Sequence, residues 1–164
     1  MKRASLTISP GRVLHEYSES ESLSWTVKWL EAFGAKRRGV NAKAFLWHIF
    51  SGGRYPSLSG ADALASYLEQ TAREYVVLSN DRKHAFTTDS APQACSWSDY
   101  YVFPENLAWT MAFTHEDGWL GPYFAYHADF KSLNKANQTK LRKMREAEAA
   151  SVKGWGSACH LQIT

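Results

Sequence analysis

Thr114-His115-Glu116-Asp117 sets an imidazole beside two carboxylates, the side-chain types needed to hold and move a proton near neutral pH. His115 can serve there as a base or a metal ligand, with Glu116 or Asp117 orienting it and His48 or His127 completing a site in space. A structural alternative uses the same residues: the imidazole hydrogen-bonds a turn and the carboxylates face water. Signatures that would favour chemistry are missing, since the chain has no H-E-x-x-H, G-x-S-x-G, Walker loop or G-x-G-x-x-G. An enzyme therefore enters only as the alternative, a hydrolase or metal-dependent enzyme centred on His115 and Glu116, and no metal or cofactor is expected. His48, between Trp47 and Ile49, reads as a core or groove histidine. Cys95, near Trp97 and Asp99, has no adjacent His and no C-x-x-C partner that would make it a nucleophile.

A second set of residues is aromatic. Seven Trp, eight Tyr and eight Phe make up 14% of the chain, more large rings than one small core needs. Neighbours on a strand point to opposite sides, so Tyr100/Tyr101 and Tyr123/Phe124 each send one ring away from a given core, towards a partner or a covering helix. Trp and Tyr rimmed by charge are the usual anchors of protein interfaces. A binding face is expected at Trp109, His115, Glu116, Asp117, Trp119, Tyr123 and Phe124. A third set, Lys131, Lys135, Lys140, Arg142, Lys143 and Arg145, can neutralise phosphates. With Asn134, Asn137, Gln138 and Thr139 between them, no nucleic-acid motif and a net charge of only +3, a solvated helix fits as well, and nucleic-acid binding is the weaker alternative.

The elements that must position these groups follow from hydrophobic period and turn chemistry. From Ser22, Leu23, Val27, Leu30 and Phe33 paint one face of a helix that Gly34 can end, with Trp25 and Trp29 off that line. Residues 42–50 form a run too apolar for a surface helix, read as a buried helix or strand. Ser59-Gly60-Ala61-Asp62 opens a second helix carrying Leu64, Tyr67, Leu68 and Ala72. The pattern then turns β-rich: Tyr75–Leu78 and Lys83–Thr88 form a hairpin about Asn80-Asp81, and Tyr100–Phe103 a third strand. Residues 107–113 alternate large and small side chains, and Pro122–Tyr126 makes a last strand. Asp129 caps a long terminal helix with a thin apolar stripe at Phe130, Leu133, Ala136, Leu141 and Met144.

The expected fold is α+β: N-terminal helices, a four- to five-stranded mainly antiparallel sheet, and a long basic C-terminal helix. A chain of 164 residues fits a single domain over 1–164, with 1–21 an irregular lead-in and 151–164 an unassigned tail. Two cysteines are too few for a disulfide framework. Without a signal-peptide run or a stretch of about 20 apolar residues, the expectation is a cytoplasmic protein that does not cross a membrane.

Leu46-Trp47-His48-Ile49-Phe50-Ser51, Trp109-Thr110-Met111-Ala112-Phe113-Thr114-His115-Glu116 and Gly121-Pro122-Tyr123-Phe124 occur in that order. They resemble the W-H-x-F-S, W-T-x-x-x-T-H-E and G-P-Y-F elements of the bacterial family called domain of unknown function 4275, over roughly residues 22–127. The resemblance implies a shared fold and supplies no catalytic roles. The residues themselves point to a small cytoplasmic domain that binds another protein. An immunity protein neutralising a cognate bacterial toxin is one concrete form, with Glu16, Glu19, Glu21, Glu116 and Asp117 able to mimic phosphates towards a nuclease cleft.

Overall fold

A computed structural model describes residues 6–160, with side chains to residue 153. The order of elements is β1 (Ile8–Ser9), β2 (Val13–Glu16), α1 (Glu19–Phe33), α2 (His48–Ser51), β3 (Leu58–Ser59), α3 (Gly60–Glu69), β4 (Tyr75–Ser79), β5 (Ala85–Thr88), β6 (Ala94–Cys95), β7 (Tyr100–Phe103), β8 (Trp109–Phe113), β9 (Tyr123–Tyr126) and α4 (Phe130–His160). The class is α+β, and the sheet has seven strands in the order β2-β5-β4-β7-β8-β9-β3 rather than four to five. Its pairings are all antiparallel.

The extra strands lie at the edges, where pairing depends on an existing neighbour more than on the strand's own sequence. β2 aligns with β5, and the two-residue β3 pairs Leu58 and Ser59 with Phe124 and Tyr123. The expected irregular lead-in is thus replaced by β1 and β2, with β1 joining β6 in a separate two-stranded ribbon. The last helix continues past Ser151 to His160. Residues 42–50 are neither one helix nor a strand. Only His48–Ser51 is helical, and the turns before it are pinned from outside. Leu46 N–H donates to Asn80 Oδ1 at 3.1 Å, Trp47 N–H to the Tyr101 hydroxyl at 3.0 Å, and the Arg82 guanidinium to the Ala42 carbonyl.

β4, β7 and β8 are buried on both faces, so their rings divide between two cores. Val76, Leu78, Tyr101, Phe103, Ala112, Tyr123 and Ala125 meet Trp29 and Phe33 of α1 and the 42–50 segment. Their sequence neighbours Tyr75, Val77, Tyr100, Val102, Trp109, Met111, Phe113 and Phe124 meet Ala63 and Tyr67 of α3, with Phe130 and Leu133 of α4 at the margin. The second core uses the rings that looked surplus for a one-sided sheet.

The buried line of α1 is Ser22, Thr26, Trp29 and Phe33; of the expected face Phe33 is buried and Leu30 packs against the core, while Leu23 and Val27 are 56% and 50% exposed. Ser22 and Thr26 hydroxyls donate to the carbonyls of Ser18 and Ser22, so small polar residues can be buried satisfied. The small face of β8 is where α1 seats its largest ring: Trp29 Nε1–H donates to Thr110 Oγ1 at 2.9 Å. The helix begins in a capping box, with Ser18 Oγ accepting Glu21 N–H and Glu21 accepting Ser18 N–H. Ser59 is the N-cap of α3 but makes no side-chain capping bond.

Candidate functional site

β8 ends at Phe113, and the chain turns back towards β9 through residues 114–121. Beside that turn lies Asp99, one residue before β7, only 8% exposed through its side chain. A carboxylate can only accept hydrogen bonds, and this one is saturated. Its Oδ1 takes Trp47 Nε1–H at 2.9 Å and the backbone N–H of His115 at 3.1 Å. His115 Nδ1 lies 2.9 and 3.0 Å from the two oxygens, and Ser98 Oγ–H donates to Oδ2 at 3.2 Å. With an acceptor at Nδ1, the proton sits there and Nε2 is left facing outward from a ring 41% exposed.

The ring packs against Phe45 and Trp47, with centroids at 5.1 and 6.1 Å. Nε2 is 3.7 Å from Glu116 Oε1, an ion pair when the ring is protonated rather than a hydrogen bond. The hydrogen bond to Asp99 raises the imidazole pKa against the opposing effect of desolvation, and the charges of Asp99, Glu116 and Asp117 add to the rise. Burial pushes the Asp117 carboxyl up.

The loop is cross-braced from within. Asp117 Oδ1 accepts Thr114 N–H at 3.0 Å and lies 3.0 Å from the Thr114 hydroxyl, which is also 2.6 Å from the Leu120 carbonyl. Thr114 Oγ1 in turn accepts Glu116 N–H at 3.1 Å. Trp119 and Leu120 N–H donate to the Glu116 carbonyl at 3.0 and 2.8 Å, and Gly118 N–H to the Gly121 carbonyl at 3.1 Å. Gly121 has φ +108°, and a Cβ there would come within 2.9 Å of Thr114 Cγ2, so the closure needs glycine. Leu120 packs inward against the core and Trp119 points out, 81% exposed.

Of the expected site residues, the structure brings His115, Glu116, Asp117 and Trp119 together on this loop. Trp109, Tyr123 and Phe124 lie in the cores, because both faces of their strands are covered. Asp117 holds Thr114 and does not orient His115. His127 does not join: its Nδ1 accepts Asp129 N–H, and its ring lies edge-on to Phe33. His48 shares the rings of Phe45 and Trp47 with His115, but its Nδ1 is 2.9 Å from the Asn41 carbonyl. Sequence reasoning missed Asp99 and Trp47 as the partners of His115: Asp99 is 16 residues from His115, and Trp47 a further 52 from Asp99 along the chain. No short-range spacing marks them. Among the described residues no group of three His, Cys, Asp or Glu side chains is placed to hold a metal ion, and no helix is long and apolar enough to cross a membrane.

Residues 31–124 match the model of a family described as Domain of unknown function (DUF4275), a segment that contains Trp47, Asp99 and the whole 114–121 loop. No curated protein and no solved structure matches the chain.

Proposed function

The chain belongs to the family described as Domain of unknown function (DUF4275), and on that footing we propose that it is a protein-binding domain whose binding element is the braced 114–121 loop. The observation that carries this reading is Trp119, 81% exposed on a loop closed by its own hydrogen bonds. An exposed indole on a mobile loop would lose part of its binding energy to ordering, whereas a pre-formed loop avoids much of that loss. Glu116 and Asp117 beside it supply an acidic rim, which steers encounter with a basic surface. A toxin neutralised by this chain as its immunity protein is one partner that fits.

The test is to isolate the partner with the tagged chain at moderate and high salt, identify it by mass, and titrate it against the wild type and Trp119→Ala. Trp119 contributes little to folding at its exposure, so the variant stays folded. Binding weakened by roughly 30-fold or more, about 2 kcal/mol, is the expected result for an anchor residue. A partner that binds both proteins equally would overturn the assignment.

A second reading rests on its own observation. An imidazole oriented at Nδ1 by a buried carboxylate, with Nε2 outward, is the arrangement of a general base. It requires a reacting group near Nε2, where Glu116 now stands. His115→Ala with full biological activity would dispose of it.

A further inference from the structure

A cleft of about 560 Å³ opens between the C-terminal end of α1 and the turn that follows α2. That size suits a small organic ligand. Its walls are apolar at Ala32, Ala35, Tyr55 and Pro56, and beneath them lie the buried rings of Phe33 and Phe50. The rings of Phe33 and Phe50 lie 6.5 Å apart, and Tyr55 stands 5.3 Å from the first and 6.3 Å from the second. Tyr55 is fixed as a wall, because its hydroxyl donates to the Tyr126 carbonyl at 2.5 Å.

The charges around these walls have one sign. Lys36 and Arg54 line the cleft and no carboxylate does. Among the described residues neither cationic side chain makes a hydrogen bond or an ion pair. Arg54 is nevertheless placed: its guanidinium lies against Gly39, where an added Cβ would come 2.6 Å from Nη2. Gly39, at φ +94°, therefore leaves room for the guanidinium beside the turn that carries Lys36. Arg37 and Arg38 in the same turn add to the positive field.

Two unpaired cations lining a cleft with apolar walls, Tyr55 among them, call for a ligand with a flat apolar body and a group carrying about two negative charges. A planar fork and a point charge together match the oxygens of a phosphate better than a single carboxylate. We propose that this cleft binds a small phosphate monoester with an aromatic body. The proposal is independent of the 114–121 loop and its partner.

The test uses phenyl phosphate, phenol and inorganic phosphate as separate probes, titrated into the full chain at low salt and followed by amide NMR shifts at Gly53, Arg54 and Tyr55. Phenyl phosphate is expected to bind more tightly than either fragment and to move those signals. A double variant, Lys36→Gln with Arg54→Gln, removes two exposed charges and leaves the fold intact by circular dichroism. It should weaken phenyl phosphate by about tenfold, about 1.4 kcal/mol, and leave phenol unchanged. Inorganic phosphate binding as tightly as phenyl phosphate would overturn the aromatic part. Equal affinity of the double variant, or no shift at those residues, would overturn the site.

Discussion

Asp99→Asn isolates what the buried carboxylate contributes, because the side chain keeps its shape and loses its charge. Two of its donors are buried or tied to the backbone: Trp47 Nε1–H at 2.9 Å and His115 N–H at 3.1 Å. Both can stay on the amide oxygen as neutral hydrogen bonds. A hydrogen bond to a charged group contributes roughly 1 kcal/mol more than a neutral one, so the pair loses about 2 kcal/mol. For a chain of this length that is a fall of about 4–8 °C in Tm. The contact to the half-exposed ring adds a dependence on pH. His115 has its pKa raised above 6.5, first by its hydrogen bond to Asp99. That pairing contributes stability fully present below the unfolded value and lost as pH rises through the folded value. The gap between wild type and variant should therefore be wider at about pH 6 than at about pH 9. Asp117, whose carboxyl is pushed up first by burial, is also raised by the Asp99 charge, so that rise eases in the variant, and repeating the comparison in an Asp117→Asn background separates the two. Urea unfolding at the two pH values, with the His115 ring titrated by NMR, reads both effects. A stability change under about 0.5 kcal/mol, within the range of ordinary surface substitutions, or a His115 titration unmoved by the variant, would refute the reasoning.

Two buried tryptophans test the hydrogen bond that seats α1. Trp29 Nε1–H donates to Thr110 Oγ1, whereas the buried Nε1 of Trp109 has no hydrogen-bond partner. Trp29→Phe and Trp109→Phe remove the same atoms from two packed cores, so the first should cost about 1 kcal/mol more than the second in urea unfolding. Ser18→Ala removes the acceptor for Glu21 N–H and should cost about 1 kcal/mol. Ser24→Ala, at an exposed position on the same helix, serves as its control and should cost less.

The central sheet was legible because its strands carry their own signals. The β4–β5 hairpin announced itself through β-branched runs around Asn80-Asp81, and β8 through strict alternation. The edge strands were not legible: β3 is two residues long and exists through its pairing with β9. On α1 the helical period holds and Phe33 and Leu30 face the core, but hydrophobicity ranks Leu23 and Val27 above Ser22 and Thr26, the pair the structure buries. What decides that face is fit: small hydroxyl residues let the helix approach the sheet, and Trp29 finds an acceptor in Thr110. His115 stood out by its neighbours in sequence, but Asp99 and Trp47 reach it only through the third dimension. Strand pairing places Tyr100, next to Asp99, opposite Phe113, two residues before His115. The register β7–β8 therefore builds the site, and a register is not visible in either strand alone.

The abundance of aromatic residues, taken alone, misleads about function. Once the sheet is covered on both faces, Trp109, Tyr123 and Phe124 are explained by packing, and a ring signals binding only where burial fails to account for it. The binding proposed for this chain rests on Trp119, a ring that burial does not explain. The Asp99 carboxylate bears on the same point, because desolvating a charge beside Trp47 is costly unless the donors it gathers hold something in place. What they hold is the start of the 114–121 loop, by backbone and ring of His115 together. A general base needs the ring contact alone, whereas a displayed loop needs the backbone contact too. The backbone bond fixes the strand-to-loop exit ahead of Trp119 whatever residue stands at 115, which is why the proposed binding reading leans on it rather than on the ring contact.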